Sequence, residues 1–396
     1  MKVNKHLKEW MKIVSSRFPN LSLPQLSGLS TWSFGMVMTK SSSLTKVSSF
    51  IAKLNNEKYY TVRQRLKEWY QEASAKSGKK RANIVVKDCF YYLLKWVIDL
   101  LGNSCKELPL AMDATTLKQN FTVLSIHVLY HGCAIPIAWK IVKATEAGSW
   151  RPHWEELFNS IKNVVPPDWN VIVCADRGLY ADWLFDVITQ LGWHPFLRIN
   201  HQGKFRERNS KNWQLLSQLL PSPQSRWSGK VTCFKSNPIE CTLLAWWDEN
   251  YQDPWLIVTD LDPESADIRW YGFRCWIECS YRDIKSDGWD WNRTRITSPQ
   301  RAERQWLAMA VALLWTITLD EPLVSDEEPN SDEKIVSTHT SNSSQSHNTP
   351  QRKLSCFING LLNLLAQLLN GLPLTIGTLE PLPFNDFSLS FYPDSS

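Results

Sequence analysis

The sequence predicts a mixed α/β fold, a sheet flanked by helices, and three observations predict it. Apolar residues recur at three- and four-residue spacing in the first hundred positions, the helical period. From residue 108 the pattern changes to short apolar or alternating runs with polar or Gly-containing breaks, the signal of strands. Strand and helix signals then alternate, the order expected of a mixed sheet with helices on its faces. Composition agrees: at 396 residues, 43% apolar and 21% charged, the chain is neither mostly disordered nor fibrous and has room for two or three compact units.

Residues 1–100 read as a helical, basic domain. "LTKVSSFIAKL" and "TVRQRLKEWYQEA" are amphipathic helices joined by the short "NNEKYY". The pair fits a helix-turn-helix whose second member displays Arg63, Arg65 and Lys67, and fits a solvated helical face equally well. The whole chain carries 44 Lys and Arg against 39 Asp and Glu, but the first hundred residues carry 18 against 6, which suggests an anionic partner. "KSGKKR" at residues 76–81 is a polar hinge.

Residues 101–200 form the first part of the core. "LPLAMDATTL", "FTVLSIHVLY" and "AIPIAWKIV" predict three consecutive strands. A helix follows from Trp150 through "WEELFNSIKNVV" and stops at Pro166 and Pro167. Then come a strand, "NVIVCADRG", a helix, "ADWLFDVITQL", and a strand, "HPFLRIN". Residues 201–261 interrupt this order with "GKVTCF", "IECTLLAWW" and "PWLIVTDL", a β-rich insertion. Residues 262–319 are the second part of the core. A long helix opens at "DPES", with Asp262 as cap and Pro263 in the first turn, and runs to about Ser286. An apolar helix over about residues 299–319 covers the sheet. Residues 320–352 have the composition of a disordered acidic linker, leading to a Leu-rich tail over 353–396.

No window holds the ~20 unbroken apolar residues a membrane span needs, and "MKVNKHLKEW" lacks an apolar targeting run. The nine cysteines are odd in number and scattered, so reduced thiols in a cytoplasmic protein are expected. "CWIEC", with Cys275 and Cys279, has no second pair at zinc-finger spacing, so zinc is not expected.

Three acids carry the chemistry. Asp113 falls at or near the end of the first strand, Asp176 at the end of the fourth and Glu278 in mid-helix. Carboxylates at a sheet edge can share hard divalent cations, and two-metal phosphoryl transfer requires such a group. Each acid taken alone is more simply a turn residue or a helix cap. The helix says more. Tyr271, Arg274 and Lys285 stand at offsets −7, −4 and +7 from Glu278, so at about 100° per residue all four fall on one stripe roughly 60° wide. That stripe is either a salt-bridged surface or a metal ligand whose neighbours hold phosphates.

"YGFRCWIECSYRDIK" resembles the Tyr, Arg, Glu, Lys signature of bacterial DDE transposases of the insertion-sequence-4 family, at matching spacing. "MDATT" and "ADRGLYA" resemble that family's two aspartate motifs, in the right order. The resemblance spans about residues 10–320. It implies an RNase H-like core interrupted by the β insertion. It further implies that Asp113, Asp176 and Glu278 are the catalytic and metal-binding triad for two Mg²⁺ or Mn²⁺ ions, and that Tyr271, Arg274 and Lys285 bind phosphates. The partners it implies are double-stranded DNA, as terminal inverted repeats and target, and a second copy of the chain in a homodimer, in a bacterial cytoplasm at the nucleoid. In some relatives a flipped base rests on an aromatic residue of the insertion; Trp246 and Trp247 are candidates, although with 21 tryptophans in the chain packing is the simpler reading.

Arg177 either meets a phosphate or pairs with a nearby acid. His127 and His131, on a strand, would stand about 13 Å apart and are not a chelating pair. No Gly-rich phosphate loop or GxSxG elbow is present. A DNA transposase is therefore expected. The alternatives are a metal-dependent endonuclease of the same core that does not join strands, and a non-catalytic DNA-binding protein derived from a transposase.

Overall fold

The computed structural model describes residues 3–78, 81–249, 251–320, 354–381 and 383–384. Most of the expected acidic linker, and residues 79–80 of the expected hinge, lie outside them. The chain opens with helices α1 (Lys5–Arg17), α2 (Leu23–Thr39), α3 (Leu44–Asn55), α4 (Tyr59–Tyr70) and α5 (Lys87–Leu101). Then follow β1 (Glu107–Leu117), β2 (Phe121–Tyr130), β3 (Cys133–Lys143), α6 (Arg151–Ile161), β4 (Asn170–Ala175), α7 (Asp182–Gln190) and β5 (His194–Arg198). α3 and α4, and the elements from β1 through β5, are those expected from the periodicity; α1, α2 and α5 fall in the stretch read as helical without being placed one by one. β1, β2 and β3 pair antiparallel, while β4 runs parallel to β1 and β5 parallel to β4. Every residue of β2 is buried, as its unbroken apolar run requires of a strand covered on both faces.

The strands of residues 201–261 are β6 (Lys204–Glu207), β7 (Gln214–Leu215), β8 (Arg226–Cys233), β9 (Ile239–Trp246) and β10 (Trp255–Thr259). They continue the same sheet, because β10 pairs antiparallel with β5 through Ile257 with Arg198 and Val258 with Leu197. The result is a ten-stranded mixed sheet in the order β3-β2-β1-β4-β5-β10-β9-β8-β6-β7.

The helix expected from "DPES" starts later and changes pitch along its length. Asp262 forms an ion pair with Lys230 on β8, and the cap is Asp267, whose carboxylate accepts the Arg269 N–H at 2.8 Å. A 3₁₀ stretch covers Ile268–Cys275, α8 covers Trp276–Arg282, and a π turn covers Asp283–Asp287, closed by the Gly288 N–H on the Asp283 carbonyl at 2.8 Å.

α9 (Pro299–Ile317) is buried for nearly its whole length and joins the N-terminal helices to the sheet. Trp315 stacks on Trp10 of α1 at 4.0 Å, and the buried Arg304 donates to the Tyr70 carbonyl at 2.8 Å and the Ile84 carbonyl at 3.2 Å. The N-terminal helices thus share a core with the sheet. α10 (Cys356–Leu369), in the expected Leu-rich tail, packs on α9 so closely that a Cβ at Gly360 would lie 1.9 Å from the Thr316 carbonyl oxygen. Cys133 and Cys356 form a disulfide between β3 and α10 across 223 residues of chain. This corrects the expectation of thiols throughout: scattered spacing gave no sign of a pair that only tertiary packing brings together. No described helix is long and apolar enough to cross a membrane.

Candidate active site

Parallel pairing of β1 with β4 puts Met112 opposite Ala175, so the next residues, Asp113 and Asp176, emerge side by side. Asp113 lies within β1, which runs on to pair with β2, and Asp176 directly follows β4. The 3₁₀ stretch crosses above them. At three residues per turn Tyr271 and Arg274 eclipse one another, and Glu278 follows one α-turn later.

Arg274 is the centre of the cluster. One terminal nitrogen lies 2.9 Å from Asp113 Oδ2 and 3.6 Å from Asp176 Oδ2, and the other lies 3.0 Å from Glu278 Oε1. The Tyr271 hydroxyl donates to Asp176 Oδ1 at 3.2 Å. The Arg274 side chain is only 14% exposed, whereas that of Glu278 is 65% exposed, so the acid on the helix is the one open to solvent. Three carboxylates around one guanidinium leave negative charge in surplus.

The pKa shifts follow from this. Burial raises Asp113, against the opposing pull of Arg274. Burial also pushes Asp176 up, but Arg274, the Arg177 backbone N–H, Arg198 and Tyr271 together hold it below the usual carboxylate range. Burial works against the charge of Arg274 and is outweighed by Tyr271 and the three acids, so its pKa is raised. Burial lowers Lys285, with Asp113 opposing.

The remaining expected residues divide. Lys285 donates to Thr115 Oγ1 on β1 at 2.6 Å, beside the cluster. The π turn rotates it away from the stripe that a uniform α-helix would have made, which corrects the expected alignment of four residues. Arg177 pairs with Asp253 at 3.2 Å, the acid-pairing alternative. Trp246 is buried between Trp255, 5.5 Å away edge-on, and the Arg226 guanidinium, 4.7 Å from its ring. Its surroundings agree with packing, the simpler of the two readings, over a base-stacking role. Trp247 is half-buried and donates its indole N–H to the Tyr251 carbonyl at 3.1 Å. Arg63, Arg65 and Lys67 lie on α4, far from the acids in the fold's element order, and Arg65 is held by Glu57 at 2.9 Å. His127 is buried in β2, while His131 stands in the turn after it.

Four residues near the acids were not expected. Arg198, the last residue of β5, lies 3.9 Å from Asp176 Oδ1. Ser125, His127 and Tyr281 form a buried chain that ends on Asp113. Their sequence signals are faint: two polar residues at alternate positions of an apolar strand, and a Tyr three residues after Glu278.

Among the described residues no group of three His, Cys, Asp or Glu stands ready to hold a metal ion. The donors gathered by Arg274 are all carboxylate oxygens, the chemistry that suits a hard divalent cation.

No curated protein sequence matches the chain. Among solved structures it is similar to a piggyBac transposase, seen by cryo-EM in a synaptic complex with hairpin DNA, at 8% identity over 78% of this chain and 73% of that one. The TM-score is 0.35, a likeness too slight to carry an argument. Residues 105–315, more than half of the chain and the stretch that holds every acid of the cluster, match the family described as the transposase DDE domain. The chain belongs to that family.

Proposed function

We propose that the protein is a DNA transposase of the insertion-sequence-4 type with an RNase H-like core, which cleaves element ends at terminal inverted repeats and joins their 3′ hydroxyls to target DNA. One observation carries the reading: Asp113, Asp176 and Glu278, from two strands and a later helix, all lie within 3.6 Å of the Arg274 guanidinium. The sheet order supports the core assignment, with three antiparallel strands followed by two parallel ones.

In this reading Asp113, Asp176 and Glu278 hold two Mg²⁺ or Mn²⁺ ions. Such ions, when bound, activate the attacking oxygen and stabilise the leaving one. Arg274 offers a planar fork that matches two phosphate oxygens, and in the free chain it keeps the acids together against their mutual repulsion. Tyr271 orients Asp176 through its hydroxyl, beside Arg274. Lys285, anchored on Thr115, supplies a point charge beside Asp113. Arg63 and Lys67 of α4 contribute to binding the inverted repeat, with Arg65 partly committed to Glu57. Trp247, half-buried, retains some exposure for contact with DNA. A homodimer bridging two ends, working on nucleoid DNA in a bacterial cytoplasm, completes the proposal.

A second reading, a transposase-derived DNA-binding protein without catalysis, is favoured by the engagement of all three acids by Arg274. A gel assay on labelled inverted-repeat DNA with Mg²⁺ separates them. Joined product supports the transposase, and cleavage without joining points to an endonuclease of the same core. A shifted band with no metal-dependent product supports the binder.

A further inference from the structure

Tyr281 lies one turn beyond Glu278 on α8, and its side chain takes no part in the reaction proposed above. It is buried, and its hydroxyl crosses to the sheet, donating to the backbone carbonyl of Asp113 at 3.0 Å. The same oxygen is 2.8 Å from Ser125 Oγ, which is 2.9 Å from His127 Nε2. Hydrogen accounting gives this chain a direction. A phenol has one hydrogen and a carbonyl only accepts, so that hydrogen goes to Asp113. Ser125 must then donate to Tyr281, and His127 must donate its Nε2–H to Ser125. Burial holds the His127 pKa down to about 3, which keeps the imidazole neutral with one ring N–H. Ser125 is also the register partner of Asp113 across β1 and β2, so the middle of the chain as well as its end stands at the strand position that bears the acid.

We propose that Tyr281 is a positioning residue: rooted on the helix of Glu278 and bonded to the backbone of Asp113, it sets the separation of those two carboxylates, while Ser125 and His127 aim its hydroxyl. The inference rests on the reading of Asp113 and Glu278 as ligands of divalent ions. Ring packing alone does not account for the arrangement, because the edge-on contact with His127 at 5.3 Å and the contact with the Lys285 ammonium at 5.7 Å would survive loss of the hydroxyl.

Tyr281→Phe removes only the oxygen. Calorimetric titration of Mn²⁺ into the full chain without DNA, well below the melting temperature, should show roughly three- to thirtyfold weaker binding, the range for one buried hydrogen bond. The Mn²⁺ concentration for half-maximal nicking should rise by the same factor, with the rate at saturating Mn²⁺ nearly kept. Ser125→Ala leaves the Tyr281–Asp113 bond and should shift Mn²⁺ affinity less, yet measurably; it carries the test if Tyr281→Phe does not fold. Wild-type Mn²⁺ affinity in both variants, with or without a lower melting temperature, would overturn the positioning role, as would a larger shift in Ser125→Ala than in Tyr281→Phe. A wild-type chain that binds no Mn²⁺ would instead overturn the metal reading beneath it.

Discussion

Arg274 and Arg65 are both arginines held by carboxylates, and they do different things. Arg65 sits on α4, 43% exposed, and meets one acid, Glu57, so the pair closes on itself in charge. Arg274 is 14% exposed and meets three acids drawn from β1, the end of β4 and α8. The first arrangement pins α4 to the loop that precedes it. The second gathers like charges that repel one another and leaves negative charge over, and such a surplus in a half-buried place is what a cation or a coupled ligand resolves. The lesson is that the count of acids per cation, more than the presence of an ion pair, separates a site from a strut.

The comparison can be broken most directly at Glu278. Glu278→Ala should abolish metal-dependent cleavage while leaving binding of inverted-repeat DNA nearly intact, since it removes a proposed ligand and also an anion near DNA. Retained cleavage in a gel assay would end the assignment.

The next largest effect concerns an acid whose burial outweighs its nearest cation. Asp283 is buried at the start of the π turn, and burial, opposed by Arg282, raises its pKa to about 7. The folded chain therefore binds an extra proton between about pH 4 and 7, so stability falls as pH rises through that window and stays lowered above it. Asp283→Asn should remove this slope and add about 2–4 kcal/mol at pH 8, read from urea unfolding at several pH values.

Arg274→Ala should cost about 1–3 kcal/mol in the absence of metal, because three carboxylates lose their common partner, and Mn²⁺ should restore part of the loss. The same variant, and Lys285→Ala, should weaken binding of the cleaved end and flatten its salt dependence, and unchanged slopes in both would count against phosphate contact. Arg65→Ala should cost only about 0.5–1 kcal/mol, less in high salt, with no response to Mn²⁺. Equal Mn²⁺ responses in the two arginine variants would erase the distinction between them.

Much of this was legible in the chain itself. Strand or helix was readable through β1 to β5 because a change of period from 3.6 to 2 is local. The place of Asp176 was legible for a related reason, since an acid that breaks off an apolar strand announces itself without knowledge of its neighbours; Asp113 was expected at or near the end of its strand and instead stands inside β1, which runs on to Leu117. The pitch of the segment around Glu278 was not legible. Asp262 looks like a cap until Lys230 on a distant strand engages it, and only Gly288 closing on Asp283 makes the π turn.

What the sequence determined by itself was therefore the run of elements and the identity of the charged groups, since both depend on spacing within a few residues. Tertiary structure decided which groups meet. It joined β10 to β5, brought Cys133 to Cys356, covered Trp246, and placed Arg274 among three acids and Tyr281 across from Asp113. The physical reason is that hydrogen bonds and ion pairs act over about 3–4 Å in space, a distance that folding can close between any two points of the chain and that local periodicity does not record.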